Sequence, residues 1–145
     1  MSKFFKGFTL IELLVVITVI GLLSAMVLVG LSGVRAQGRD TRRVADLRNL
    51  QNGLEIYFNK NNQYPAAANS CDNTWSALQT ALGTQLPKDP LNRDQYCYFY
   101  AVSRDGLHYT LRALLEDKKN PALRDDLGGR QNGLNCDDPY YCIGL

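Results

Sequence analysis

Few side chains in this 145-residue chain could do chemistry, and their types and spacing exclude most of it. His108 is the one histidine, which rules out a His pair or a second imidazole ligand. It falls in a predicted strand without an identifiable partner, so packing or solvent exposure accounts for it better than acid–base work. No G-x-S-x-G, phosphate-binding loop or dinucleotide fingerprint occurs. "NCDDP", Asn135 to Pro139, offers hard oxygen ligands around Asp137 that could hold calcium. It lacks the twelve-residue spacing of an EF-hand and reads as a solvated turn. Neither a metal site nor a cofactor is assigned. Cys71, Cys97, Cys136 and Cys142 are the four cysteines, and their closest pair, "CDDPYYC", is wider than a zinc C-x₂₋₄-C. An even set in a small domain suggests disulfides, and the pairing Cys71–Cys97 with Cys136–Cys142 closes the most local loops among the three possible connectivities. Glu12 is the side chain that asks for an explanation. It stands inside the apolar stretch "KGFTLIELLVV", and a carboxylate in hydrocarbon costs about 2.5–3.5 kcal/mol on insertion scales.

The elements that carry these residues follow from composition. Leu13 to Val34 contains no charge, and such a run rises about 33 Å as a helix against a hydrocarbon core of about 30 Å. It predicts a membrane-crossing segment over 8–34. Lys3 and Lys6 precede it, but the run is too long for an ordinary secretory signal and no small-x-small cleavage pattern follows. Lys and Arg number 16 against 14 Asp and Glu, and without Met1 to Gly7 the balance is 14 to 14. Such a balance supplies no argument for an obligatory nucleic-acid partner.

From Arg35 the composition becomes polar and periodic. Val44, Leu47, Leu50, Leu54, Tyr57 and Phe58 recur at three- and four-residue steps, one apolar face of a helix over 35–62. Arg42 and Asp46 can pair on its outer face. The stop is "NKNNQYP", where Pro65 pushes Tyr64 out of the α region. One helix from Phe8 to about Asn59 is therefore expected. Residues 63–145 read as a small head. "NTWSALQTALG" predicts a short helix with Trp75, Leu78 and Leu82 inward, capped at Asn73 or Thr74 and stopped by Gly83. "YCYFYAV" and "LHYTLRALL" predict a hairpin at about 95–115 around "SRDG", with Tyr96, Tyr98 and Tyr100 on one face. The C-terminal tract reads as loop, with "YYCIGL" as a candidate edge strand. The expected fold class is α+β, a lollipop with a long N-terminal helix on a small antiparallel sheet.

"KGFTLIELLVVITVIGLLSA" resembles the start of type IV pilins and type II secretion pseudopilins. The likeness lies in the basic leader, Gly7 before the cut, Phe8 as the new N-terminus, Glu12 four residues on, and Gly21. "QYP" and "LPKDPLN" extend it more loosely. The resemblance implies that 1–7 is a leader cleaved by a prepilin peptidase between Gly7 and Phe8, and that Phe8 is N-methylated. It implies that Glu12 neutralises the N-terminal amine of a neighbouring subunit in a helical homopolymer. It further implies subunits held in membrane lipid before assembly, an inner-membrane assembly platform, and a single-pass placement with the head outside. Arg35, Arg39, Arg42, Arg43 and Arg48 oppose that orientation if positive charges alone are counted; the cysteines and the peptidase motif favour it. The implied role is structural rather than enzymatic: a type IV pilus-like filament subunit, with a type II secretion pseudopilin as the alternative. A rival from another class is a signal-anchored binding domain that uses its tyrosine face.

Overall fold

The computed structural model describes residues 7–67 and 71–145, without side chains at 27–31 and 71–74. It divides into two units, Met1–Arg35 and Ala36–Leu145. The first helix, α1, spans Leu10–Asn61. It begins after Thr9, whose side chain caps it, and ends where Asn62 turns left-handed (φ 55°) and donates its N–H to the Phe58 carbonyl at 2.7 Å.

In the first unit the described apolar side chains of α1 face solvent, Leu10 at 89% and Ile11 at 71% exposure. Expectation and structure part here. Among the described residues no helix is long and apolar enough to cross a membrane. This corrects both the transmembrane assignment and the single-pass inner-membrane placement that rested on it.

In the second unit the periodic half of α1 buries Leu47, Leu50 and Leu54, with Val44 and Phe58 packed alongside. Helix α2, Cys71–Leu82, starts ahead of the cap expected at Asn73 or Thr74. Trp75 and Leu78 point into the core, and Gly83 ends the helix with a positive φ of 63°. Strands β1 (Phe99–Val102), β2 (Tyr109–Leu114) and β5 (Tyr140–Gly144) form an antiparallel sheet in the order β1-β2-β5. Tyr100, Leu111 and Ile143 share one register line and one buried face. The first strand is shorter than the sequence suggests, because Tyr96 is drawn into a tight turn bridging to Arg93.

The tract read as loop holds a second, two-stranded sheet, β3 (Arg130–Gln131) with β4 (Leu134–Asn135). Between them Asn132 and Gly133 both have positive φ (47° and 88°), which a two-residue type I′ hairpin requires. Asn132 donates to Thr110 Oγ1 at 3.1 Å, so this hairpin covers the sheet face opposite the helices. Gly144 closes the edge. A Cβ there would collide with the Tyr109 carbonyl oxygen and sit 3.1 Å from Thr110 Cα. Gly144→Ala is therefore expected to destabilise the protein by about 1–3 kcal/mol through overpacking. Urea unfolding checks this, and an unchanged midpoint would show that β5 yields without cost.

Candidate assembly site

Glu12 is the third residue of α1, and Thr9 is its N-cap. The Thr9 backbone N–H and Oγ1–H both donate to Glu12 Oε2, at 2.9 and 2.8 Å, and the Glu12 N–H donates to Thr9 Oγ1 at 3.3 Å. This is a capping box, in which two otherwise orphaned backbone donors are satisfied reciprocally. Phe8, Ile11, Val15 and Val16 line a shallow groove with Glu12. Phe8 is 81% exposed and Gly7 has open space around it. The first unit therefore presents an accessible Gly7–Phe8 bond, a carboxylate held at a helix start, and apolar side chains without cover among the described residues.

The second unit is organised by charge that sequence reading missed. Arg43 is fully buried. Its guanidinium reaches Asp89 through Nε (2.7 Å) and Nη2 (3.0 Å), and Asp40 and Glu116 through Nη1 (2.7 Å each). Arg39 grips Glu116 in the same two-pronged way, at 2.7 and 2.6 Å. The carboxylates are further held by backbone donors. Asp40 accepts the N–H groups of Glu116 and Asp117, and Asp89 accepts that of Leu91. Arg43 also lies 4.9 Å from the Tyr96 ring centroid. Burial works against the Arg43 charge, but its hydrogen bonds to Asp89, Glu116 and Asp40 outweigh it and raise its pKa. Three segments distant in sequence, α1, "LPKDPLN" and the turn after β2, are thus fastened together. Arg39 and Arg43, counted in the sequence only as positive charges after the apolar run, are ion-paired in the second unit, Arg43 buried and Arg39 partly exposed.

Glu116 gives this cluster a pH signature. The hydrogen bond from Arg39 leads in lowering its pKa from the ordinary 4.5 to about 2; burial opposes the shift and Arg43 adds to it. A depressed carboxylate pKa contributes stability that is present above the unfolded value and is lost as pH falls through the folded one. Denaturant midpoints should therefore fall between about pH 4.5 and 2. Glu116→Gln should flatten that part of the profile; an identical acid limb in the variant would remove Glu116 from the account.

The tyrosines hold the head together rather than offer a platform. Tyr98 and Tyr100 are buried. Tyr98 donates to Asp46 at 2.8 Å and Tyr100 to the Pro65 carbonyl at 2.8 Å. Tyr64 and Tyr109 both donate to Glu55 Oε1, each at 3.1 Å. Burial, with Glu55 adding to it, pushes the Tyr64 hydroxyl up to about 12. The tyrosine face of the rival binding-domain reading is thus turned inward at these positions.

Residues 3–28 match the prokaryotic N-terminal methylation motif family. The type II secretion system core protein G of Pectobacterium carotovorum subsp. carotovorum is 30% identical over 138 residues, 85% of this chain and 83% of that protein. Its counterpart in Klebsiella pneumoniae is 37% identical over 134 residues, 85% and 92% of the two lengths. The chain belongs to the pilin and pseudopilin family. A shorter likeness joins it to the type IV wide pilus major component PilA4 of Thermus thermophilus, 42% identical over 59 residues, 41% of this chain and 45% of that one. No solved structure matches it. Family membership makes the chain a substrate of prepilin peptidase, a polymerising subunit and a structural protein rather than an enzyme.

The remaining predicted positions of this pilin-family chain are placed as follows. Cys136 and Cys142 are joined by a disulfide. Cys97 is disulfide-bonded too, while the side chain of Cys71, its expected partner, lies outside the described residues. His108 is exposed beside the hairpin turn, where its backbone N–H bonds Ser103 Oγ at 2.9 Å. Asp137 takes part in a turn through its backbone, N–H to Asn135 Oδ1 at 3.1 Å. Among the described residues no group of three or more His, Cys, Asp or Glu side chains could hold a metal.

Proposed function

We propose that this chain is a filament-forming pseudopilin of a type II secretion system. What supports this over a surface pilus is coverage. The likeness to secretion core protein G of two species runs through most of both chains, whereas the likeness to a pilus component covers 41% of this one. The order of preference from sequence, pilus first, is thereby reversed.

The peptidase cuts between Gly7 and Phe8 and methylates the Phe8 amine on this reading. Gly7 stands in open space and Phe8 is exposed, which leaves the bond between them accessible to a peptidase. Among the described residues the apolar side chains of the first unit of α1 are exposed in a single copy, and a helix apolar all round is stable when surrounded. Other copies of the same helix would surround it in the polymer. Glu12 would then meet the amine of a neighbouring Phe8. An ion pair of this kind gains little net stability once buried, so its value is in fixing the axial register between copies. Deletion of the chain in its host tests the reading. Export through the type II secretion system should stop while surface pili persist; intact export with loss of pili would assign the chain to a pilus.

A further inference from the structure

A cavity of about 220 Å³ opens on the second unit between α2, the "LPKDPLN" loop and the approach to β1. Trp75 and Tyr98, with ring centroids 5.7 Å apart, form its aromatic floor. Gln79, Lys88 and Asn92 stand exposed at its edge. None of these three side chains has a hydrogen-bond or ion-pair partner among the described residues. Asp89 also lines the cavity, but its carboxylate is spent on Arg43 and on the Leu91 N–H. An ammonium and two amides are therefore left free, a set suited to an acceptor-rich, negatively charged visitor.

The walls are fixed before anything arrives. Trp75 Nε1–H donates to the Pro87 carbonyl at 2.7 Å, tying α2 to the loop. Arg43 ties the loop to α1, and Cys97 is disulfide-bonded. A rigid recess loses little freedom on being filled, which favours even a small contact. Its volume corresponds to roughly seven waters at about 30 Å³ each, enough for a short acidic side chain and not for a folded segment.

The same chain carries a matching projection. Asp137 and Asp138 are exposed within the ring closed by Cys136 and Cys142. The ring is braced by the Tyr140 N–H on the Asp137 carbonyl at 3.1 Å. Neither carboxylate has a hydrogen bond or ion pair among the described residues. Neither residue lines the cavity. A recess and its complement at different places on one surface make a heterologous contact, the kind that propagates an open helix rather than closing a dimer.

We propose that this cavity receives one carboxylate side chain from the Asp137–Asp138 turn of a second copy, Lys88 meeting that carboxylate over the Trp75–Tyr98 floor. The proposal rests on the polymer-forming reading and adds a specific head-to-head contact to it. The test is a charge exchange in the full chain expressed in its host, with filaments counted by electron microscopy. Lys88→Glu alone, and Asp137→Lys with Asp138→Lys, should each reduce filaments on the order of tenfold, since like charges then face each other. All three substitutions together should restore most of them. The positions are exposed, so thermal unfolding of each variant should match the parent. Parental counts in the single exchanges would overturn the contact, and so would a combined variant no better than its parts. Absence of filaments from the unaltered chain would overturn the polymer-forming reading itself, a result visible on the same grids.

Discussion

Arg43→Ala is expected to destabilise the second unit by about 3–5 kcal/mol, the range typical for removing one partner of a buried charge cluster. Four hydrogen bonds to three carboxylates disappear at once. Asp40 and Asp89 remain buried without their cation, and the backbone donors that they keep satisfy only part of each carboxylate. Glu116 retains Arg39 and suffers less. Arg43→Lys should recover only part of the loss, because an ammonium cannot reproduce the two-pronged contact with Asp89 while also reaching Asp40 and Glu116. Urea unfolding of the three proteins at neutral pH gives the comparison. A loss below about 1 kcal/mol for the alanine variant would mean that the carboxylates find water or take up protons at little cost. The cluster also supports the aromatic-floored cavity, since Asp89 beside Lys88 ties that loop to Arg43 on α1.

The sequence already contained much of this, unevenly. Leu47, Leu50 and Leu54 declared the inner face of α1 by their spacing, and the structure buries them. Continued backward at the same steps, that spacing lands on Arg43 and Asp40. Neither position stands out as core in the sequence, because charged residues seldom occupy a core face. Their partners, Asp89 and Glu116, are 46 and 73 residues away from Arg43, and nothing local joins them. The β3–β4 hairpin is a different case. Asn132-Gly133 is the strongest short-range hairpin signal there is, but its flanking strands are two residues each and show no alternation to draw attention to it. At Tyr96 propensity misled. Its alternation with Tyr98 and Tyr100 favours a strand, and the Arg93–Tyr96 bridge takes it for a turn. The membrane assignment rested on the charge-free run from Leu13 to Val34, and among the described residues no helix is long and apolar enough to cross a membrane.

Glu12→Gln should give processed subunits that assemble few or no filaments. The substitution is informative because of the capping box. Glutamine at this position of the motif can still accept the Thr9 N–H, so the helix start stays formed while the charge is lost. An assembly defect in the Gln variant would then come from the missing carboxylate and not from a frayed helix. If the carboxylate meets the amine of a neighbouring Phe8, its removal leaves that amine buried alone, a cost of about 3–5 kcal/mol per added subunit. At about 1.4 kcal/mol for each factor of ten, subunit addition weakens by roughly two to four orders of magnitude. Thr9→Ala supplies the opposite case. It removes the cap, at about 0.5–2 kcal/mol, and leaves the charge in place. Filament counts should therefore fall far more in Glu12→Gln than in Thr9→Ala, with mass spectrometry showing an N-terminal Phe8 in both. The reverse order would mean that Glu12 serves assembly by starting its own helix, and the intermolecular pair would have to be abandoned.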